Sequence, residues 1–568
     1  MRRIRGLGMW AIALVLGSLL AAPVTPAAAL APESSAAPDT PMSERVVAAN
    51  PLAARAGLQM LEAGGNAVDA AVAVQMALGV VEPQSSGLGG GALILWWDQG
   101  NQRLESIDGL SQAPHQLPTG PMKRSGKATI GVPGALRALA DLHARAGYLP
   151  WGKLFAPAIS LAEDGFPMPA YLHRVLGGKD AAAQYGDIFA MYAGPDGRLL
   201  DIGTTVRNPK LAATLRAIAA TGADAFYNGA LAQSLAVATS GAEEGGGLTL
   251  DDLRSYHAVA RQPICAPFLD YQICAAPPPS YGGLAVLQIL DMLQAQKGAT
   301  SDFADPQFLH LFIEASRLAQ ADRQAYVGDP DFIAVPVDGL LQADYLEARA
   351  GLIHADAALP IAKAGEPRGK PAGLAPDTGS PSPGTSQVVV VDRQGNALTM
   401  TTTINLNFGS RILVDGYVLN DVLTNFARPS PDGAHKANEP APGKRPVTSM
   451  APVVVFDREH RPVVLGGSAG GGEIVGYVAE SLVDLLARGA TPSHALSLGH
   501  VSAPASDRRD GVELEAGTPT AGLANELTGL GHVIELHTMP SGLGFAKRVP
   551  GGWIGAADPR RDGVALGE

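Results

Sequence analysis

Residues 384–405 read Gly384-Thr385-Ser386-Gln387-Val388-Val389-Val390-Val391-Asp392-Arg393-Gln394-Gly395-Asn396-Ala397-Leu398-Thr399-Met400-Thr401-Thr402-Thr403-Ile404-Asn405. Two runs rich in β-branched residues flank Asp392-Arg393-Gln394-Gly395-Asn396, a turn sequence in which Gly395 suits a left-handed position. The stretch is a predicted hairpin. If Asp392 and Asn396 close a three-residue loop, the pairing sets Thr403 opposite Thr385. Cross-strand Thr pairs stabilise sheets by about 0.2–1 kcal/mol, which accounts for the pair but not for its place in the chain. Upstream, residues 364–384 are rich in Pro and Gly and end Pro381-Ser382-Pro383-Gly384, the composition of a flexible, exposed linker. A Thr at such a junction can attack the Gly384 carbonyl, turn the amide into an ester by N-to-O shift and, after hydrolysis, become a new N-terminus. Its α-amine, with an unperturbed pKa of about 7.7–8.0, can then activate its own hydroxyl without any histidine.

A second nucleophile candidate lies in Gly466-Gly467-Ser468-Ala469-Gly470. It fits G-x-S-x-G, follows the strand-like Pro462 to Leu465 and precedes the helical Glu473 to Leu486, with Asp507 and His532 in the chain order of an α/β-hydrolase triad. The glycine run continues through Gly471 and Gly472, and too little chain remains to finish such a sheet. Glycines entering a helix offer free backbone N–H groups, the requirement of an oxyanion hole. Gly470 and Gly471 are therefore read as donors that serve another nucleophile.

Composition narrows the setting. The chain has 568 residues, 46% hydrophobic and 17% charged, with 42 Lys+Arg against 54 Asp+Glu and a formal net charge of −12. This excludes a disordered chain and a basic nucleic-acid binder, and gives no electrostatic attraction to anionic membranes. Arg2, Arg3 and Arg5 precede the apolar run Met9 to Ala22, and Pro26-Ala27-Ala28-Ala29 supplies an A-x-A site, so residues 1–29 are a predicted signal peptide of an exported protein, periplasmic or secreted. The apolar run is shorter than the ~20 residues of a membrane span. Cys265 and Cys274 flank a hairpin expected to turn at Leu269-Asp270, and either a disulfide or two buried thiols fits that spacing. Among the 12 His no metal-binding spacing occurs, and neither a metal nor another cofactor is expected. Pro51 to Ala63, stopped by Gly64-Gly65, and Ala67 to Val81 are predicted helices, Ala92 to Trp97 a strand, and Val132 to Leu352 mainly helical with a strand pair near Ile264 and Ile273.

Several separate motifs, in order from about Val46 to Asp562, resemble the γ-glutamyltranspeptidase family: Gly64-Gly65-Asn66-Ala67-Val68-Asp69-Ala70-Ala71, Gly131-Val132-Pro133-Gly134, Pro277-Pro278-Pro279-Ser280-Tyr281-Gly282-Gly283, Gly384-Thr385, Lys444-Arg445-Pro446 and Asp558-Pro559-Arg560. The resemblance implies an α+β fold, the four-layer αββα sandwich of N-terminal-nucleophile hydrolases. It implies self-cleavage into a large subunit, 30–384, and a small one, 385–568, which stay associated as one αββα unit. By position Thr385 resembles the family's nucleophile, Thr403 its supporting threonine, and Gly470 and Gly471 its oxyanion pair. Asn405, Asn425, Thr448 and Ser449 match positions that contact the glutamyl group. The implied partners are a γ-glutamyl or related amide and, as acceptor, water or an amino acid or peptide.

Three positions depart from the family pattern. Leu110 stands where typical members hold the substrate α-carboxylate with Arg, Asn425 where they hold the α-amine with Asp, and Val422 where they have Gln. The loss of one charge-assisted contact is expected to remove about 1.5–3 kcal/mol of binding. Members with Asn at that position resemble cephalosporin acylases of the family, which accept glutaryl-type amides, so an acylase with weak γ-glutamyl activity is the second reading and an idle self-cleaved scaffold a third. The segment Ala427 to Gly443 holds no Tyr, Phe or Trp, so the aromatic lid found in many members is expected to be absent or reduced. Arg411 reads first as a solvated loop arginine and second as a substitute contact for a carboxylate.

Overall fold

A computed structural model describes residues 39–120, 123–242, 245–296, 302–377, 379, 384–430, 432–503 and 511–568. The leader expected over 1–29, Pro381 to Pro383 and Asp507 lie outside them. Along the chain the principal strands are β1 (Arg45–Ala48), β2 (Gly91–Asp98), β3 (Arg103–Gly109), β4 (Val259–Arg261), β5 (Ile264–Phe268) and β6 (Tyr271–Ala275). They continue with β7 (Ser386–Val391), β8 (Ala397–Thr403), β9 (Val453–Phe456), β10 (Pro462–Gly467), β11 (Gly544–Val549), β12 (Gly552–Ala557) and β13 (Val564–Gly567). One antiparallel sheet runs β13-β1-β7-β8-β2-β3-β4 and the other β12-β11-β10-β9-β6-β5.

The hairpin has the expected register. Val391 pairs with Ala397 and Ser386 with Thr402, around a turn with Gly395 at φ +86°. Asp392 anchors this turn: its carboxylate accepts from Asn396 N (2.9 Å) and Asn396 Nδ2 (2.8 Å), and also from Ala67 N (3.0 Å). Ala67 opens helix α2 (Ala67–Val81), which follows α1 (Pro51–Glu62). Asn66 caps α2 in a reciprocal capping box with Asp69, so the sequence that stops one helix starts the next.

Alternation along β7 builds the layers. Val388 and Val390 face α1 and α2, sharing a core with Leu398, Met400 and Ile94. Val389 and Val391 point the other way and meet Leu95, Trp97, Val454, Phe456 and Leu465 between the sheets. The second sheet alternates likewise: Val453, Val455 and Val464 face α3 (Gly282–Ala295), α4 (Pro306–Tyr326) and α5 (Ile474–Leu482). The result is helix, sheet, sheet, helix, the αββα sandwich that the resemblance implies. Both sheets mix strands from either side of residue 384: β1 lies between β13 and β7, β8 pairs with β2, and β9 pairs with β6.

Cys265 and Cys274 face one another across β5 and β6 and are disulfide-bonded, which resolves the two alternatives left by their spacing. The stretch expected to be mainly helical holds more strand than the pair at Ile264 and Ile273: β4 extends the first sheet, and Phe166–Pro167 pairs with Thr205–Val206.

The sheets also meet through polar groups near the start of β7. Gln387 Nε2 donates to Thr399 Oγ1 (2.8 Å), Thr401 Oγ1 donates to Gln387 Oε1 (2.6 Å), and Thr399 Oγ1 donates across the sandwich to Gly466 O (3.1 Å). Gly467 leaves room for this amide, since a Cβ there would fall 2.6 Å from Gln387 Oε1. All of these side chains are buried, so Gln387→Leu strands the Thr401 hydroxyl and should cost about 1–3 kcal/mol. A lower midpoint of urea unfolding is the expected result, and an unchanged midpoint would show the amide to be dispensable.

Candidate active site

Thr385 sits at the mouth of the hairpin, 3% exposed. Its Oγ1 donates to Thr403 Oγ1 at 3.2 Å, and Thr403 Oγ1 in turn donates to Gly384 O and accepts from Asn405 N at 2.8 Å. The second threonine thus aims its proton at the carbonyl that Thr385 would attack, where negative charge would develop. Gly384 approaches Asn405 so closely that a Cβ would lie 2.2 Å from its carbonyl oxygen, which fixes glycine before the nucleophile candidate. Thr385 O accepts from Arg561 Nη1 at 2.7 Å, and the same guanidinium donates to Ser541 O (2.8 Å) and Pro540 O (3.0 Å).

Beneath this residue, Ser386 Oγ donates to Glu82 Oε2 at 2.6 Å, and Glu82 Oε1 lies 3.9 Å from Arg561 Nη1. Burial pushes the Glu82 carboxyl up to about 7, against the opposing pull of Arg561 and Ser386. Arg561, Glu82 and Ser386 were not among the residues singled out from sequence. No local pattern marks a guanidinium that reaches a carbonyl 176 positions away.

The glycine run sits where β10 gives way to α5. Gly470 has φ +142° and Gly471 φ +68°, backbone that favours glycine, and a Cβ on Gly470 would come within 2.5 Å of Tyr477 Cε2. Among the described residues neither Gly470 N nor Gly471 N donates to a protein acceptor, which leaves two N–H groups for an oxyanion. Ser468 is fully buried and its Oγ donates to Ala469 O at 2.7 Å. It is no exposed elbow nucleophile, and His532 pairs with His310 (2.7 Å), its imidazole held down at about 3 by burial first and then by the neighbouring His310 and Arg317. Arg561 connects this loop with Thr385: a Cβ on Gly542 would be 2.9 Å from the Arg561 guanidinium, and Gly542 O accepts from Ala469 N at 3.1 Å.

Ser449 Oγ donates to Gly471 O at 2.6 Å, and Thr448 exchanges backbone bonds with the Pro279–Tyr281 segment, its N to Pro279 O (3.2 Å) and its O from Tyr281 N (2.9 Å). Asn405, at φ +77°, donates from Nδ2 to Asp421 Oδ1 and Thr424 Oγ1, both at 3.1 Å. Asn425 is half-buried, and its engaged group is the backbone carbonyl, which accepts from Asn438 Nδ2 at 2.7 Å. Leu110 is 3% exposed and belongs to the core behind the second sheet, while Val422 packs with Ala113, Leu423 and Phe426. Arg411 stacks its guanidinium 5.6 Å from the Tyr185 ring.

The family model described as Gamma-glutamyltranspeptidase matches residues 53–568. The glutathione hydrolase proenzyme of Bacillus subtilis (strain 168) is 34% identical over 550 residues, 92% of this chain and 91% of that protein. The acylase ACY 1 proenzyme of Pseudomonas sp. (strain SE83) is 34% identical over 547 residues, 92% and 93% of the two chains. Among solved structures, a cephalosporin acylase from Bacillus halodurans superposes with a TM-score of 0.79 at 27% identity, covering 95% of this chain and 99% of that one.

The two glycines and Ser468 have opposite expected responses. Gly470→Ala, which forces a side chain against Tyr477, should lower kcat on a chromogenic amide by about 100-fold or more. Ser468→Ala should keep most of the turnover. Loss of activity in a folded Ser468→Ala protein would favour the serine as nucleophile.

Proposed function

Because this chain belongs to the γ-glutamyltranspeptidase family, and is an acyltransferase or amidohydrolase of that family, we propose that it matures by cutting itself between Gly384 and Thr385 and turns over amides through a Thr385 ester. The observation that carries this reading is the chain of hydroxyls Thr385, Thr403 and the Gly384 carbonyl. In maturation the Thr385 hydroxyl adds to the Gly384 carbonyl, the C–N bond breaks, and water releases the ester, leaving a free α-amine on Thr385. In turnover that amine takes the hydroxyl proton as Oγ1 attacks the substrate carbonyl, and it returns the proton to the leaving amine. Gly470 and Gly471 N–H groups hold the oxyanion, and Thr403 keeps Oγ1 aimed. Water or the amine of an amino acid or peptide then takes the acyl group from the ester. The large and small subunits, 30–384 and 385–568, remain together, and residues 1–29 direct export to the periplasm or medium. No helix among the described residues is long and apolar enough to cross a membrane.

The acyl group is the open variable. Asn405, Asn425, Thr448 and Ser449 contact it in this reading, while the apolar Leu110 and Val422 offer no polar handle. Their burial in hydrophobic clusters favours, as a second reading, an acylase whose donors lack the full α-amino acid, such as glutaryl amides.

Denaturing electrophoresis with N-terminal sequencing tests the maturation step: two fragments, the shorter beginning Thr385-Ser386-Gln387, are expected from the parent. Thr385→Ala should give one uncut chain without turnover. An active parent that stays uncut would sink the Thr385 mechanism.

A further inference from the structure

Behind Asn405 lies a buried carboxylate to which neither the sequence pattern nor the mechanism gives a role. Asp421 is 0% exposed and precedes the short turn Val422–Asn425. Its Oδ1 accepts from Asn405 Nδ2 and from Leu406 N, both at 3.1 Å. The other Asn405 contact is Thr424 Oγ1, whose own proton goes to Asp421 O at 2.7 Å, so this hydroxyl can only accept from the Asn405 amide. Both hydrogens of the Asn405 amide are therefore engaged on one side. Its Oδ1, an acceptor with no donor capacity, is the group left to meet a ligand. The second Asp421 oxygen, Oδ2, is buried without a hydrogen-bond partner among the described residues. An uncompensated buried charge is costly. Arg411 is the charged group that acts on it, and Arg411 is stacked on Tyr185 instead of paired with it. An α-ammonium group at Asn405 would supply the missing positive charge.

We propose that Asp421 is a positioning and specificity residue of the acyl pocket: it fixes Asn405 with its carbonyl oxygen toward the donor and provides, one residue behind, the negative charge that recognises a donor α-ammonium. The inference rests on the proposed placement of the acyl group beside Asn405 and on Thr385 as nucleophile. It assigns to Asp421 the discrimination that the uncharged Leu110, Val422 and Asn425 do not perform. Burial raises the Asp421 carboxyl to about 7, with the Leu406 N–H, Asn405 and Arg411 pulling in the opposite direction. Above that pH the charge is present and below it the carboxyl is neutral. Recognition of an α-ammonium should therefore strengthen from acid to neutral pH, while a donor without the amine is insensitive to this group.

The test compares kcat/KM for γ-glutamyl and glutaryl p-nitroanilides on the matured full-length protein between pH 5.5 and 7.5. Over this range the donor carboxylates stay ionised, and the donor α-amine stays protonated because the ionised α-carboxylate beside it makes it more basic than a peptide N-terminus. Any pH effect common to both donors, including titration of the Thr385 amine, cancels in the ratio. The γ-glutamyl to glutaryl ratio is expected to rise about five- to tenfold with pH in the parent. Asp421→Asn keeps the acceptor for Asn405 and Leu406 and removes the charge, so its ratio should be flat and about tenfold lower at pH 7.5. Asp421→Leu should lower it further by freeing Asn405. A parent ratio that does not change with pH, which needs no variant to fold, overturns the inference, as does an Asp421→Asn profile equal to the parent's. If Thr385→Ala still turns over either donor, the underlying mechanism falls and the inference with it. A flat parent ratio together with an inert Thr385→Ala overturns the role of Asp421 alone.

Discussion

Side chains on a strand alternate with a period of two, so the pairing of Ser386 with Thr402 decides which groups meet at the mouth of the hairpin. A slip by one residue would turn Thr403 away from Thr385, move Val388 and Val390 from the helical face to the face between the sheets, and break the bond from Thr399 to Gly466. The turn enforces the register through Asp392, which holds Asn396 and the first N–H of α2 with one carboxylate. Core packing and site geometry therefore depend on the same few hydrogen bonds at the opposite end of the strand.

Charge around the site is arranged by burial more than by ion pairing. Glu82 and Asp421 are both carboxyls pushed up to about 7, one under Ser386 and the other behind Asn405. Arg561, by contrast, spends its guanidinium on three backbone carbonyls, including that of Thr385. Such a contact fixes a main-chain position without competing for the side chain that is proposed to react. The glycine loop is tied to the same place by Gly542, so small shifts of the 540–543 segment would be felt by both the nucleophile candidate and the candidate oxyanion donors.

What the sequence discloses follows from how local each signal is. The hairpin was legible because turn chemistry and alternation lie within twenty residues, and α1 and α2 because a capping box and a glycine pair mark their junction. Thr385, Thr403, Gly470 and Gly471 stood out as candidates for the same reason, through the junction after the Pro- and Gly-rich stretch, the hairpin register and the glycine run. Contacts made across the sandwich were not legible: nothing local marks Thr399 as the donor to Gly466 O on the other sheet, and Arg561 is one more charge near the C-terminus. Asp421 had no signal at all, since its meaning lies in being buried beside Asn405. The cysteine pair was ambiguous because a hairpin brings two thiols together whether or not they are oxidised, and the bond between them answers the question.

The mixing of strands in both sheets has a consequence for how long the protein lasts. In a chain cut after Gly384, β1 stays wedged between β13 and β7, β8 holds β2, and β9 holds β6. Neither fragment owns a complete sheet, so they cannot part as two folded bodies. Separation and global unfolding become the same event, and its barrier is that of pulling apart buried ladders. The return path is worse, because the covalent link that brought the strands together at high local concentration is gone. Cutting would thus turn refolding into a search between two separate chains and give the unfolding barrier more weight in the protein's lifetime.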